Sequence, residues 1–140
     1  MPFIPLAPQP TQGLHLTADL QGCSANQPWM TDMGALKEAC IAGVARVGLN
    51  AVGDCFHAFA PAKPGQSGGV TGMVLLAESH LAVHTWPESG LVTLDVFVCN
   101  VGVDNSERAP ALMDALLLGF APGSVRRQSV LRGMALAPST

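Results

Sequence analysis

Apolar and polar residues alternate along several segments of the chain. Between Leu14 and Leu20 every second residue is apolar, which predicts a half-buried β-strand. The same reasoning predicts strands over Ala51–Phe59 and Leu91–Cys99, and a weaker last strand over Ser124–Leu131. Each of these segments is bounded by glycine, proline or polar residues, as strands usually are.

The longest β-like segment lies in the middle of the chain. Val70–Thr85 reads VTGMVLLAESHLAVHT and predicts one long strand. Residues 87–90, Pro-Glu-Ser-Gly, are typical of a turn, so this segment and Leu91–Cys99 predict a hairpin. Apolar residues of one parity should share a face of the long strand: Met73, Leu75, Ala77, Leu81 and Val83.

Two segments have the three-to-four-residue apolar spacing of helices. Asp32 is a suitable N-cap for a helix through about Val47, which Gly48 closes. Ser106–Phe120 predicts a second amphipathic helix. Its expected buried face comprises Ala109, Leu112, Met113, Leu116 and Leu117.

The predicted element order is β-α-β-β-β-α-β. Strand segments flanking two helices indicate an α+β fold, a two-layer α/β sandwich in which two helices cover one face of an antiparallel sheet. Residues 1–12 carry four prolines and predict a flexible N-terminal arm. The remaining residues, 13–140, are expected to form a single domain, in which residues 61–69 form a flexible loop.

Composition narrows the class of protein. The chain has 140 residues, 49% of them hydrophobic and only 12% charged, with a net charge of −3. These values argue against a disordered chain and against nucleic-acid binding. No apolar segment approaches the roughly 20 residues of a membrane helix, and the N-terminus does not resemble a signal peptide, so we expect a cytoplasmic protein. The low charge predicts that apolar surface is buried in an oligomer.

Cysteine usage agrees with a reducing compartment. The four cysteines form no CxxC pair and have no metal-ligand spacing, so free thiols are expected and a metal site is not. Three of them are expected to be small buried apolar residues: Cys23, Cys40 and Cys55.

Candidate chemistry concentrates inside the long apolar segment. Glu78, Ser79, His80 and His84 interrupt it, and Cys99 ends its hairpin partner. Buried strands avoid such groups, so they form either a hydrogen-bonded polar patch at a sheet edge or a functional site. The spacing of the two histidines is weak evidence for zinc on a strand. The chain also lacks a GxSxG nucleophile elbow, a phosphate-binding P-loop and a lysine in an apolar context.

These residues carry a specific resemblance. Residues 75–90, LLAESHLAVHTWPESG, followed by LDVFVC at 94–99, resemble the ESHxxxHxxPE and DVxxC segments of the bacterial S-adenosylmethionine decarboxylase proenzymes. CFHAF at 55–59 is similar to that family's FHxF segment, GVTG at 69–72 to its GVSG, and Arg-Gly at 132–133 to its C-terminal RG.

The resemblance implies a proenzyme that cleaves itself between Glu78 and Ser79 into a β chain of residues 1–78 and an α chain of residues 79–140. It implies that Ser79 becomes a covalent pyruvoyl group. The ketone of that group condenses with the substrate's amine and accepts electrons as CO₂ leaves, so neither pyridoxal phosphate nor a metal is expected.

Site residues follow by motif position. His84 matches the residue that accepts a proton during processing, and Cys99 the residue that donates one to the substrate carbon after decarboxylation. Thr71 stands where the family has a serine that supports processing, and it keeps the hydroxyl. For the substrate, Glu88 matches a glutamate that binds ribose hydroxyls and Phe59 an aromatic residue that stacks on adenine.

The resemblance further implies a small-molecule substrate and a homodimer of processed αβ protomers. S-adenosylmethionine is the expected substrate, with a pyruvoyl-dependent ornithine or arginine decarboxylase as the alternative. A second alternative is an unprocessed, non-enzymatic homologue that acts as a binding partner. The chain departs from the family pattern at Asn100, where glycine is usual, and in its longer loop at 60–68.

Overall fold

Six antiparallel strands form one sheet in the computed structural model, which describes residues 13–133. The predicted arm at residues 1–12 lies outside this range. The elements in chain order are β1 (Gly13–Gln21), α1 (Pro28–Thr31), α2 (Met33–Arg46), β2 (Ala51–Ala58), β3 (Val70–Leu76), β4 (Ser79–Trp86), β5 (Leu91–Cys99), α3 (Arg108–Phe120) and β6 (Ser124–Arg132).

The strand order across the sheet is β2-β3-β4-β5-β1-β6. Helices α2 and α3 pack against each other and against the sheet, which confirms the predicted α+β two-layer sandwich. Because β1 inserts between β5 and β6, the first strand lies inside the sheet and the last strand forms one edge.

The hydrophobic core lies between the sheet and the helices. Alternate residues of β1 and β5 point into it, as the period-two pattern predicts. From α3 the core receives Phe120 in place of the predicted Leu117, which is only half-buried. The main buried strand residues are Leu16, Ala18, Leu20, Leu81, Val83, Val92, Leu94, Val96 and Val98.

The prediction of one long strand over 70–85 is wrong. A two-residue turn at Ala77 and Glu78 splits it into β3 and β4, so that Leu76 pairs with Ser79. The sequence offers no glycine, proline or asparagine there to reveal the turn. The turn is made by Glu78, which adopts a left-handed backbone with φ of 57°.

The hairpin also shows that the prediction of a shared face for Met73, Leu75, Leu81 and Val83 is wrong. Across an antiparallel pair, residues that share a face lie opposite each other, and Val74 lies opposite Leu81. Val74 is therefore buried with Leu81, whereas Met73 and Leu75 point to the other face and are 40% and 48% exposed. The apolar segment Val70–Thr85 therefore places apolar side chains on both faces of the sheet.

Two further differences concern helices and thiols. A short helix, α1, precedes the predicted one, and Asp32 caps the start of α2 by accepting a hydrogen bond from Ala35 N at 3.1 Å. The second predicted helix begins at Arg108. All four cysteines are free, as predicted; Cys23 and Cys40 are buried, but Cys55 is exposed because it lies on the helix-free side of β2.

None of the helices within residues 13–133 is long and apolar enough to cross a membrane.

Candidate active site

The side of the sheet that the helices do not cover carries nearly all the candidate residues. We call it the open face; it presents the strand residues that alternate with those buried in the core. Its titratable and nucleophilic side chains include His15, Asp19, Cys55, His57, His80, His84, Asp95 and Cys99. It also exposes apolar side chains, namely Phe59, Met73, Leu75, Trp86, Leu91 and Val130.

Ser79 and Cys99 lie together at one end of the sheet, at the turn that joins β3 and β4; Cys99 is on the open face, whereas Ser79 has the core-facing parity of Leu81. The Ser79 side chain is almost buried, with 8% of its surface exposed. Its Oγ accepts a hydrogen bond from the Cys99 backbone N at 2.9 Å. Glu78, immediately before it, holds the strained left-handed conformation, so the Glu78–Ser79 peptide bond begins at a strained residue. Because the expected cleavage site lies between Glu78 and Ser79, we call these three residues the cleavage-site group.

The loop after Cys99 fixes the end of β5 through side-chain hydrogen bonds. Asn105 Nδ2 donates to the Cys99 carbonyl oxygen at 2.9 Å, and Asn105 Oδ1 accepts from Arg108 at 2.9 Å. Asn100, which is 2% exposed, accepts from the Asn105 backbone N at 2.8 Å and donates to Ser106 Oγ at 3.2 Å. Asn100, which stands where the resembling family usually has glycine, therefore helps to hold Cys99 in place.

Thr71, His84, Glu88 and Phe59 lie together at the other end of the open face. Thr71 Oγ1 and His84 Nδ1 are 3.1 Å apart, within hydrogen-bond distance. These four residues line a cavity of about 310 Å³, closed on one side by the loop at 60–69. We call them the cavity group. Phe59 is 52% exposed and packs edge-to-face on His57, with ring centroids 4.6 Å apart, so it is not a core residue.

Close backbone packing shapes this cavity. A Cβ on Gly68 would lie 1.7 Å from the Phe59 carbonyl oxygen, and one on Gly69 would lie 2.1 Å from the Thr85 carbonyl oxygen. Thr85 Oγ1 accepts from Val70 N at 2.9 Å and donates to the Met30 carbonyl at 2.8 Å, which ties the cavity floor to the helical layer. The two glycines permit this close backbone approach to Phe59 and Thr85.

The structure separates the two groups. Ser79 and His84 lie five residues apart on one extended strand, which is about 16 Å at roughly 3.3 Å per residue. Motif spacing assigns His84 to the chemistry of Ser79, yet within one copy of the chain the imidazole cannot reach the serine.

Further polar side chains of the open face, whose proximity the sequence does not reveal, lie near the cleavage-site group. His15 Nε2 lies 2.9 Å from Asp95 Oδ1, within hydrogen-bond distance. The ring of His80 lies 5.5 Å from that of Phe97. Desolvation and then the His15 charge lower the pKa of His80, with Asp95 opposing them. Only the register β4-β5-β1, which sequence spacing does not show, brings these side chains together.

In the described part of the chain, His, Cys, Asp and Glu side chains form no group of three or more that could hold a metal ion.

The chain is thus a two-layer α+β domain with a candidate active site, which consists of a strained Glu-Ser turn, a nearby cysteine and a separate polar cavity. Comparison with known proteins identifies its family. Residues 14–133 match the family described as S-adenosylmethionine decarboxylase. The S-adenosylmethionine decarboxylase proenzyme of Aquifex aeolicus is 34% identical over 124 residues, which are 89% of this chain and 83% of that protein. The proenzyme of Moorella thermoacetica is 32% identical over 126 residues, covering 90% and 91% of the two chains.

A solved structure agrees. The crystal structure of the adenosylmethionine decarboxylase from Aquifex aeolicus matches with a TM-score of 0.80 and 32% identity, over 94% of this chain and 99% of that one. The chain belongs to the S-adenosylmethionine decarboxylase family.

Proposed function

We propose that this chain is a self-processing, pyruvoyl-dependent S-adenosylmethionine decarboxylase whose product is the aminopropyl donor for spermidine synthesis. The observation that carries the proposal is the geometry at residues 78 and 79. A strained residue precedes a serine whose hydroxyl oxygen is held 2.9 Å from the Cys99 backbone N. Cleavage there gives chains of residues 1–78 and 79–140.

Self-processing starts at the strained turn. Ser79 Oγ attacks the Glu78 carbonyl carbon, and the amide becomes an ester as the Ser79 nitrogen is released. A base then removes the Ser79 α-proton, and elimination expels the Glu78 carboxylate and leaves dehydroalanine. Water adds to this enamine, ammonia leaves, and a pyruvoyl group remains at the start of the α chain. The left-handed backbone crowds the Glu78 side chain against the Glu78 carbonyl oxygen, and transfer of that carbonyl to Ser79 Oγ relieves the crowding, which favours the first step.

The residues present fit a pyruvoyl group at position 79, since β4 begins there and Cys99 lies beside it. That group supplies a carbonyl that takes up the substrate's amine and the electron pair left as CO₂ departs. The Cys99 thiol then delivers a proton to the substrate α-carbon. Glu88 accepts hydrogen bonds from the two ribose hydroxyls, and Phe59 stacks on the base.

Two copies of the chain are needed to complete this site. We place a two-fold axis in the plane of the open face and across the strands, so that the two sheets stack with their strands antiparallel. The cleavage-site group of one copy then faces the partner's His84, Thr71, Glu88 and Phe59. Support comes from the separation of about 16 Å within one copy and from the exposed apolar side chains of the open face. A two-fold dimer is also the commonest symmetric assembly.

The proposed substrate follows from the cavity. Phe59 presents an exposed ring and Glu88 a carboxylate to the same space of about 310 Å³, a combination suited to a nucleoside. The direct test is CO₂ release from carboxyl-labelled S-adenosylmethionine, ornithine and arginine, assayed side by side, with intact-mass measurement of both chains. Release from S-adenosylmethionine alone is expected. Release only from ornithine or arginine would contradict the substrate, and an uncleaved chain would contradict the enzyme.

Replacing Glu88 tests the nucleoside contact itself. Glu88→Gln is expected to lower kcat/KM on S-adenosylmethionine more than tenfold, because an amide cannot accept both ribose hydroxyls as a carboxylate does. Glu38→Gln, on the exposed side of α2, is the matched control and should leave kcat/KM unchanged. Equal activity of the two variants would remove Glu88 from the site.

A further inference from the structure

Arg132 reaches across the sheet toward the cleavage-site group. It ends β6, and in the register of the sheet Gly13 of β1 lies between it and Cys99 of β5. The Arg132 guanidinium carbon lies 5.2 Å from the centroid of the Phe97 ring, two residues before Cys99 on the same face. The side chain therefore spans β1 and holds its charge beside Cys99, although the two residues are 33 positions apart in sequence.

Gly13 makes this crossing possible. A Cβ at Gly13 would lie 2.7 Å from a carbon of the Phe97 ring, so any larger residue would displace the ring. The missing side chain leaves a cavity of about 230 Å³ that is bounded by Phe97, Cys99, Val101 and Arg132. Unlike the cavity of Glu88 and Phe59, this one lies at the Ser79 end of the open face.

We propose that Arg132 binds the α-carboxylate of the substrate in this cavity. The proposal rests on the proposed function. There, the carbon that receives a proton from Cys99 is the carbon that carries the carboxylate, so the carboxylate must lie within a few ångströms of the thiol. A guanidinium stays charged at all relevant pH values, and its forked N–H groups match the two oxygens of a carboxylate.

The surroundings leave the guanidinium available for this role. In the ion pairs formed among residues 13–133, the cationic partners are His15, Lys37 and Arg127, and Asp95, the nearby carboxylate, contacts His15. The Phe97 ring supports the cation without supplying a counter-charge. A ligand carboxylate would therefore supply the negative charge that the described lining of the cavity lacks.

Such a contact has a kinetic signature. The carboxylate loses its charge as CO₂ forms, so Arg132 stabilises the bound substrate at least as much as the transition state. Removing it should raise KM about tenfold or more and leave kcat unchanged or higher. A residue that moved protons or held Cys99 in place would instead lower kcat.

The test compares Arg132→Gln with Arg46→Gln, an exposed arginine that ends α2 on the helical side of the sheet. For each processed enzyme, kcat and KM are measured, and calorimetry gives the affinity for the decarboxylated product, which has no carboxylate. We expect Arg132→Gln to raise KM at least tenfold, to leave kcat at or above the wild-type value and to leave product affinity unchanged. We expect Arg46→Gln to change none of these. Arg132→Lys, which keeps the charge but loses the fork, should give an intermediate KM.

Three results would overturn the proposal: an unchanged KM in Arg132→Gln, a loss of kcat at constant KM, or product affinity that falls as much as substrate affinity. If Arg132→Gln is not processed or does not fold, the Lys variant decides by the same criteria. Wild-type enzyme that releases no CO₂ from S-adenosylmethionine would refute the proposed function itself, which separates the two failures.

Discussion

Glu78 is the residue whose backbone most directly suggests chemistry. Among residues 13–133, only Glu78 and Ala121 combine a side chain with positive φ, and Ala121 caps the end of α3, where this conformation is common. Left-handed backbone costs a non-glycine residue roughly 1–2 kcal/mol, and here the cost falls on the residue whose carbonyl Ser79 would attack.

Relieving that strain should slow self-cleavage. Glu78→Gly removes both the side chain and the conformational cost, whereas Glu78→Ala removes only the side chain and serves as the matched control. We expect the Gly variant to remain uncleaved several-fold longer than the Ala variant in a time course of cell-free synthesis followed by intact mass. Equal cleavage rates for the two variants would show that strain at residue 78 contributes nothing.

The two nucleophilic side chains of the cleavage-site group should fail at different steps. Ser79→Ala is expected to abolish cleavage, because no hydroxyl remains to attack the Glu78 carbonyl. Cys99→Ala is expected to cleave, because the backbone N–H that binds Ser79 Oγ is retained, but to lose about 10²-fold or more in kcat with the lost proton donor. Intact mass and CO₂ release measure the two outcomes. A Cys99→Ala enzyme with wild-type turnover would remove the thiol from the mechanism.

At the scale of elements, the β3–β4 hairpin decides which side chains face the core. It turns Val74 and Leu81 inward together and leaves Met73 and Leu75 on the open face. The open face of the sheet is therefore partly apolar too, and the proposed dimer would cover these apolar side chains.

Helix α2 offers a pH-dependent test of the core. Burial against the sheet raises the pKa of Cys40 to about 12, from an ordinary value near 9.0. Above pH 9 the unfolded chain loses this proton and the folded chain keeps it, so the free energy of unfolding falls as pH rises from 9 towards 12. One such group contributes a slope of about 1.4 kcal/mol per pH unit at most.

The experiment is denaturant unfolding between pH 8 and 10.5 in the Ser79→Ala background, which keeps the chain in one piece. Adding Cys40→Ala should flatten the fall in stability above pH 9, although it lowers stability overall by leaving a small cavity. Adding Cys55→Ala, at an exposed thiol, is the control for removing a thiol outside the core. A Cys40→Ala slope identical to that of its parent would contradict the raised pKa.

At the scale of the whole molecule, the composite site makes a prediction about mixed dimers. A Ser79→Ala chain paired with a His84→Ala chain contains one complete site if His84 acts across the interface, because the second chain supplies Ser79 and the first supplies His84. We therefore expect the His84→Ala chain of such a heterodimer to be cleaved. Two different affinity tags isolate the heterodimer, and intact mass identifies the cleaved chain.

The control places both substitutions on one chain and pairs it with a wild-type chain. If the site spans two copies, the Ser79 of the wild-type chain faces a partner without the His84 imidazole and stays uncleaved; if the site lies within one copy, the wild-type chain is cleaved normally. The two arrangements thus predict opposite results in both heterodimers. A stable monomer at micromolar concentration in light scattering would exclude the arrangement altogether.

The sequence by itself determined the fold class and the identity of the candidate residues. Period-two and helical spacing are local properties, so they located β1, β5, α2 and α3 within a few residues. The segment that resembles ESHxxxHxxPE identified Ser79, His84 and Glu88 as candidates, because these residues occupy fixed positions in that motif.

Only the tertiary structure decided how these residues are arranged. The turn at Glu78 has no local signal, because its residue types are not those of turns and its left-handed backbone is imposed by the pairing of β3 with β4. Strand register, which depends on contacts distant in sequence, brought His15 to Asp95 and Arg132 to Cys99. The extension of β4 placed Ser79 and His84 at opposite ends of one strand, since extended backbone converts five residues of spacing into a distance that no side chain bridges.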